Sequence, residues 1–383
     1  VTAAVGAGRL DVDALLDDPG TRIIVCCGAG GVGKTTTAAA LGLRAAERGR
    51  RTVVITVDPA RRLAQSLGLD ALDDTPRPVP LPGGAGGSLH AMMLDMKRTF
   101  DEVVREHADP ERARQILANP FYQTLSTSFS GTQEYMAMEK LGQLRQSGDW
   151  DLIVVDTPPS RSALDFLDAP KRLGRFLDGR LIRFLSAPAS TGAFRLLGAG
   201  FNLVTSAIGR VVGAQLLDDL RSFVAAFDTV FGGFQKRAER TYRLLQAPGT
   251  AFVVVAVPDT DAMREAAYFV ERLATDGMPL AGLVVNRTHP LPEGAGGSLD
   301  AREAVAAAES LERTGARTPA SAALRLHAER VRTRGRETRL RDTLLSAHGG
   351  VRVAEVAALP EDVHDLAGLR GIGEELAGRE PHT

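Results

Sequence analysis

Cysteine is nearly absent: Cys26 and Cys27 are the only two in 383 residues, and they are adjacent. On a strand their side chains point to opposite faces, so they can form neither a disulfide framework nor a C-x-x-C metal clip. They read as two small buried residues in a reducing, cytoplasmic setting. Lysine is also scarce, occurring only at Lys34, Lys97, Lys140, Lys171 and Lys236 among far more numerous arginines, which we take as codon bias. An excess of either charge is missing: the formal net charge is −1. That excludes a global pull toward nucleic acid or an acidic membrane, so no nucleic-acid partner is expected. Long apolar runs are missing too. Leu196 to Leu217 comes closest to the ~20 residues that a membrane span needs, but Arg210 interrupts it, so no stable membrane insertion is expected. No signal peptide opens the chain, and Val1 suggests that the true start is absent or processed. The seven histidines are scattered with no metal-ligand spacing.

The stretch from Arg22 to Thr37 organises the rest. A β-branched run ends in Cys26-Cys27, turns through glycines and enters an alanine-rich helix. Gly28 to Thr35 fit G-x-x-x-x-G-K-[ST], the phosphate-binding loop. Gly30, Gly31 and Gly33 permit positive φ, so successive backbone N–H groups, that of Val32 included, can face an anion at the N-terminus of the helix. Lys34 is placed to reach the β and γ phosphates, and the Thr35 hydroxyl to bind Mg²⁺.

Two further strands deliver acids to the same side of a parallel sheet. Thr52 to Val57 ends in Asp58-Pro59-Ala60. Asp151 to Val155 ends in Asp156-Thr157-Pro158-Pro159, a Walker B arrangement whose carboxylate can orient a water on Mg²⁺. Proline after Thr157 takes the chain out of the ladder, as in a switch segment. Leu89 to Leu94, Ala251 to Val257, Gly282 to Val285 (followed by Asn286) and Val351 to Val356 read as the remaining strands, with Asp70 to Ser88 a surface loop. Asp95 to Gln146 and Ala163 to Gln246 read as helical without strand signals, and Ala301 to Leu345 as helical and Arg-rich. In that last stretch acids alternate with the arginines, as on a solvated face.

The fold class is therefore α/β: a P-loop NTPase with a doubly wound, mostly parallel sheet and an inserted α-helical lobe. Its nucleotide-binding core is expected at 1–94, 150–164 and 248–383, with helical insertions at 95–149 and 165–247. The apolar stripes of the second block, such as Phe194, Phe201, Ile208, Phe223, Phe227 and Phe231, read as helix packing in preference to a client groove, since methionines there are few.

The order G-A-G-G-V-G-K-T-T at Gly28, D-P-A at Asp58, L-x-A-M-x-L-D at Leu89, D-T-P-P at Asp156, V-N-R at Val285 and L-P-E at Leu359 resembles the arsenical-pump and tail-anchored-protein-targeting ATPases, the ArsA family, over nearly the whole chain. The resemblance implies ATP and Mg²⁺ as ligands and a nucleotide-sandwich dimer, homodimeric or paired with a paralogue, that opens and closes around a protein or other client, a hydrophobic protein being one such client. It also implies that Asp58 activates the hydrolytic water and that Asp156 is the switch acid near Mg²⁺. Thr36 then contacts the α phosphate, Asn286 reads the adenine edge, and Leu359 and Pro360 flank the ring. The chain departs from the pattern in three respects. Ala29 stands where the family's signature lysine follows the first glycine, and that lysine reaches the partner's nucleotide with a contribution on the order of 10³-fold in rate. The cysteines for arsenite or zinc are missing, and so is the second P-loop of a fused pump. Ala29 motivates an alternative, a weakly active or inactive nucleotide-binding subunit that regulates a paralogous ATPase. A third reading, a P-loop kinase, lacks a recognisable acceptor site.

Overall fold

Runs of buried β-branched residues separated by helices produce, in a computed structural model, one eight-stranded sheet. The structure describes residues 8–58, 62–81, 86–120, 122–123, 132–158, 236–237, 239–291, 299–313 and 319–379. The strands are β1 (Ile23–Cys27), β2 (Arg51–Thr56), β3 (Arg77–Val79), β4 (Ser88–Met93), β5 (Leu152–Asp156), β6 (Thr250–Ala256), β7 (Leu280–Thr288) and β8 (Val353–Ala357). Their order is β3-β4-β2-β5-β1-β6-β7-β8, parallel throughout except that β3 runs antiparallel to β4. The chain winds outward from β1 through β2 and β4 to one edge, and later through β6, β7 and β8 to the other. The loop after β1 therefore leaves the sheet where the winding direction reverses, which is where open α/β sheets bind ligands.

Alternation along the strands feeds two cores. Ile23, Val25 and Cys27 face one, with Val53, Ile55, Ile153 and Val155. Ile24 and Cys26 face the other, with Val54, Leu152 and Val154. The two cysteines thus lie on opposite faces, both buried and free. The second face is covered by α1 (Val12–Asp17), α2 (Lys34–Glu47), α3 (Arg62–Ser66) and α10 (Leu366–Leu376). Helix α2 lies very close to the sheet because its buried face is built from Ala38 to Ala40, Gly42, Ala45 and Ala46. A Cβ on Gly42 would come within 2.3 Å of a Val54 methyl.

The first face carries α4 (Met96–His107), α5 (Pro110–Ala118), α6 (Thr132–Ser147) and α7 (Thr260–Thr275). Phe100, Val104, Ile116, Met136 and Leu141 join the same apolar cluster as β1 and β5, so the described helices of the first helical block pack on the sheet face itself. A hairpin of α8 (Ala301–Arg313) and the long α9 (Pro319–Ala347) runs before β8. Asp11, Asp95, Asp109, Asp259 and Asp365 each cap a helix by accepting from a first-turn backbone N–H.

Several details depart from the sequence reading. The Asp70–Ser88 stretch contains the short edge strand β3, and the Ala301–Leu345 stretch divides into two helices. The D-P-A segment beyond Asp58, the Pro159 of the D-T-P-P segment and nearly all of the second helical block, with its phenylalanine stripe, lie outside the described residues. Among the described residues no helix is long and apolar enough to cross a membrane.

Candidate nucleotide site

The site is built at the carboxyl ends of the central strands. Between β1 and α2 the loop takes positive φ at Gly28 (148°), Gly31 (75°) and Gly33 (94°). Gly30, expected to share that conformation, does not adopt it; Gly28 does, because β6 crowds it. A Cβ there would lie 2.1 Å from the Val255 carbonyl oxygen, backbone against backbone. At Gly31 a Cβ would meet nothing within 4 Å. Gly28→Ala is therefore expected to cost about 3 kcal/mol or more, while Gly31→Ala costs only the left-handed conformation, about 1 kcal/mol. Urea midpoints of the two variants test the difference.

Helix α2 starts at Lys34 with Gly33 as its N-cap and no side-chain cap, so its first N–H groups remain available to an anion. Val32 buries its side chain in the core and can offer the cleft only backbone. Lys34 is buried, and its Nζ donates to the Ala29 carbonyl at 2.7 Å, folding back over the loop. Burial pulls the Lys34 ammonium below its ordinary range, opposed chiefly by the Asp156 charge.

Asp156 is the focus of the acidic side. It is completely buried, and its Oδ2 accepts from the Thr35 hydroxyl at 2.7 Å and the Thr56 hydroxyl at 2.8 Å. Its Oδ1 is buried with no hydrogen-bond partner. Burial pushes the Asp156 carboxyl up to about 6, against the pull of Thr35, Thr56 and Lys34. A buried carboxylate oxygen lacking a donor, beside a P-loop threonine hydroxyl, suits a hydrated Mg²⁺, so the donor set fits that ion. Thr157 donates to the Cys26 carbonyl at 2.9 Å and so ties the exit of β5 to β1. Asp58 stands at the end of β2, where its backbone N–H donates to the Thr56 hydroxyl at 3.2 Å. Thr56 thus touches both acids' segments.

These groups open into a cleft of about 390 Å³ lined by residues that include Lys34, Thr35, Thr36, Asp58 and Thr157. Its far end is formed by Arg287 near the end of β7 and by Asp362, Val363 and His364 after β8. Asn286 reaches the loop directly: its Nδ2 donates to the Val32 carbonyl at 2.9 Å, and its Oδ1 accepts from the Arg287 N–H at 2.9 Å. Leu359 and Pro360 are exposed on the segment leading to Asp362, beside the cleft and not among its lining residues. The sequence reading passed over Arg62, Gln65, Arg287, Asp362 and His364. Arg287 is the last residue of the V-N-R motif and Asp362 directly follows L-P-E, so the signal lay inside one motif and one residue past the other.

Strand, glycine loop, lysine-threonine helix start and a buried acid bonded to that threonine define a P-loop nucleotide-binding protein. The chain belongs to the ArsA ATPase family: the family model described as anion-transporting ATPase matches residues 21–309. Among curated relatives, ATPase GET3 of Malassezia globosa is 27% identical over 280 residues, covering 73% of this chain and 76% of the relative. ATPase GET3B of Arabidopsis thaliana is 27% identical over 301 residues, with 73% and 67% covered. ATPase ARSA2 of Chlamydomonas reinhardtii is 28% identical over 305 residues, with 75% and 74% covered. Membership makes the chain an ATP hydrolase that binds ATP.

Proposed function

We propose that this cleft hydrolyses Mg-ATP and that the change drives a dimer between open and closed forms around a protein client in the cytoplasm. The observation that carries the reading is the 2.7 Å bond from Thr35 to Asp156, because it joins the phosphate loop to an acid whose other oxygen is left without a donor. In this reading the amides from Gly28 to Gly33 and the Lys34 ammonium hold the phosphates, with Thr36 on the α phosphate. Lys34 exchanges its bond to Ala29 for phosphate oxygens. Thr35 and, through water, Asp156 would hold Mg²⁺, which would supply charge neutralisation to the phosphates. Asp58 orients the attacking water and accepts its proton. Asn286, Leu359 and Pro360 contact the adenine ring.

Ala29 favours a second reading, in which the chain holds nucleotide chiefly to regulate or complete a paralogue that keeps the signature lysine. Phosphate release by the purified chain, with and without Ala29→Lys, separates the two. If the missing lysine limits a self-sufficient ATPase, Ala29→Lys raises turnover by about 10-fold or more, within the range such charges supply. If turnover stays flat and rises only when a paralogue is added, the regulatory reading stands. Native mass spectrometry of the complex reports whether two copies, or one copy and a paralogue, enclose the nucleotide.

A further inference from the structure

We infer that Glu337, in the middle of α9, is a positioning residue for the nucleotide cleft, acting through the bulge that carries Asn286 and Arg287; this rests on the reading of the cleft as an ATP site. The pairing of β7 with β8 runs Val285 with Glu355 and resumes at Thr288 with Ala357, so β7 spends three steps where β8 spends two. The extra residue is a bulge, a device that redirects side chains near sites. Arg287 lies in it at φ 58°, and among the described residues no other non-glycine residue has positive φ. A backbone held in that region by a long side chain persists only when its surroundings over-determine it.

The surroundings lie on both flanks of the bulge. On the near side Asn286 grips the Val32 carbonyl. On the far side Thr288 donates its hydroxyl to the Val356 carbonyl at 3.2 Å, and the Ala358 N–H donates to the Thr288 carbonyl at 2.8 Å. Glu337 then takes the backbone N–H and one ring nitrogen of the next residue. Its Oε2 accepts the His289 backbone N–H at 3.0 Å, and its Oε1 lies 2.6 Å from His289 Nδ1. Glu337 is itself only 4% exposed. Arg334, one turn earlier on α9, lies 3.9 Å from it and pairs with Glu355 of β8 at 2.6 Å; Arg341 also holds Glu355. A buried carboxylate with two bonds to one residue locks that residue's backbone. Glu337 lines no part of the cleft, so any effect it has on nucleotide passes through the bulge.

Strand order sets which part of the nucleotide is affected. The acids leave β2 and β5, on one side of β1, whereas β7 lies two strands away on the other side, roughly 10 Å by strand spacing. Glu337 thus acts chiefly on the end of the cleft away from the phosphates, and reaches the phosphate loop only through the Asn286 bond to the Val32 carbonyl.

Calorimetry and steady-state kinetics of the full chain test this with Glu337→Ala, Glu337→Gln and His289→Ala. Glu337→Ala is expected to weaken ADP binding and raise KM for ATP by about tenfold, a typical loss for a charge-assisted bond, with kcat at saturation unchanged. Glu337→Gln can still accept the His289 N–H and donate to the ring, and is expected to retain near-native affinity. Inorganic tripolyphosphate, which needs only the P-loop, should lose clearly less affinity than ADP, since the bulge touches that loop only through Asn286. His289→Ala, at an exposed ring, decides the matter if Glu337→Ala does not fold: it should weaken ADP clearly more than tripolyphosphate. Unchanged ADP affinity in the folded variants overturns the proposal, as does an equal loss for tripolyphosphate. A wild-type chain that binds no adenine nucleotide overturns the reading of the cleft, and this proposal with it.

Discussion

Lys34→Ala is expected to lower ATP turnover by about 10³-fold, the loss typical of removing one preorganised donor from a developing charge. The physical reason is the combination of burial and position. The ammonium sits at the first residue of α2 and, among the described residues, donates to a single loop carbonyl, so it is desolvated before any phosphate arrives and needs little reorganisation. Burial pulls the ammonium below its ordinary range in spite of the nearby Asp156 charge. A polyphosphate would compensate the ammonium, and the affinity gained is the part that alanine forfeits. Because the apo protein loses only one bond to Ala29, the variant should fold normally. The thermal shift that Mg-ATP gives the wild-type chain should nearly vanish in the variant. Phosphate release and differential scanning fluorimetry together read both effects; persistent hydrolysis by the variant would remove Lys34 from the mechanism.

Asp156→Asn should also abolish hydrolysis, yet leave the metal-free protein more stable by about 1 kcal/mol at pH 8. The two effects have one origin. The wild-type carboxylate is buried with one oxygen unpartnered, and burial lifts its pKa to about 6 from the usual carboxylate range. The folded state then binds a proton more tightly than the unfolded chain does, so this group's contribution is fully present below about pH 4 and is lost as pH rises through about 6. Over that window the loss is up to about 3 kcal/mol. Asparagine carries no charge and can still accept from Thr35 and Thr56, but places an amide donor without an acceptor at the orphan position, which returns about 1–3 kcal/mol of the gain. Urea titrations at pH 5 and pH 8 in chelator should show wild-type stability falling with pH relative to the variant. Asp151, which Arg51 holds down at about 2, titrates below this window and leaves the comparison clean. Equal pH slopes for the two proteins would show that the Asp156 charge is compensated by a route the site does not reveal.

The legible parts of this protein were those whose cause is local. β1, β2, β5 and β6 announce themselves as β-branched runs because both sheet faces are covered, and all were located to within a residue or so. The lysine, the threonine and the two acids follow from the chemistry that a triphosphate demands at strand ends. What escaped was set by distant segments. Which glycines turn left-handed depends on β6, which presses the Val255 carbonyl against Gly28 from more than two hundred residues away. Strand β3 carries a proline, which the sequence reading took as loop, and it survives as an edge strand of three residues. Helix α7 was passed over although Asp259 caps it and its apolar face recurs at Met263, Ala266, Val270 and Leu273. That miss was avoidable. The clamp of Glu337 on His289 had no signal at all, since nothing in the sequence marks a pair forty-eight positions apart.

The central position of β1 has a bearing on how the molecule is made. Its two neighbours are β5, near residue 153, and β6, near residue 252, each joined to it in parallel register. A ribosome adding about 5–20 residues per second delivers the second of these many seconds after the glycine loop has emerged. Until then the loop has no flanking strand on that side and no carbonyl to hold Gly28. The nascent chain is therefore expected to gain its grip on nucleotide only late in synthesis, and fragments ending before residue 250 should elute unbound from an ATP resin.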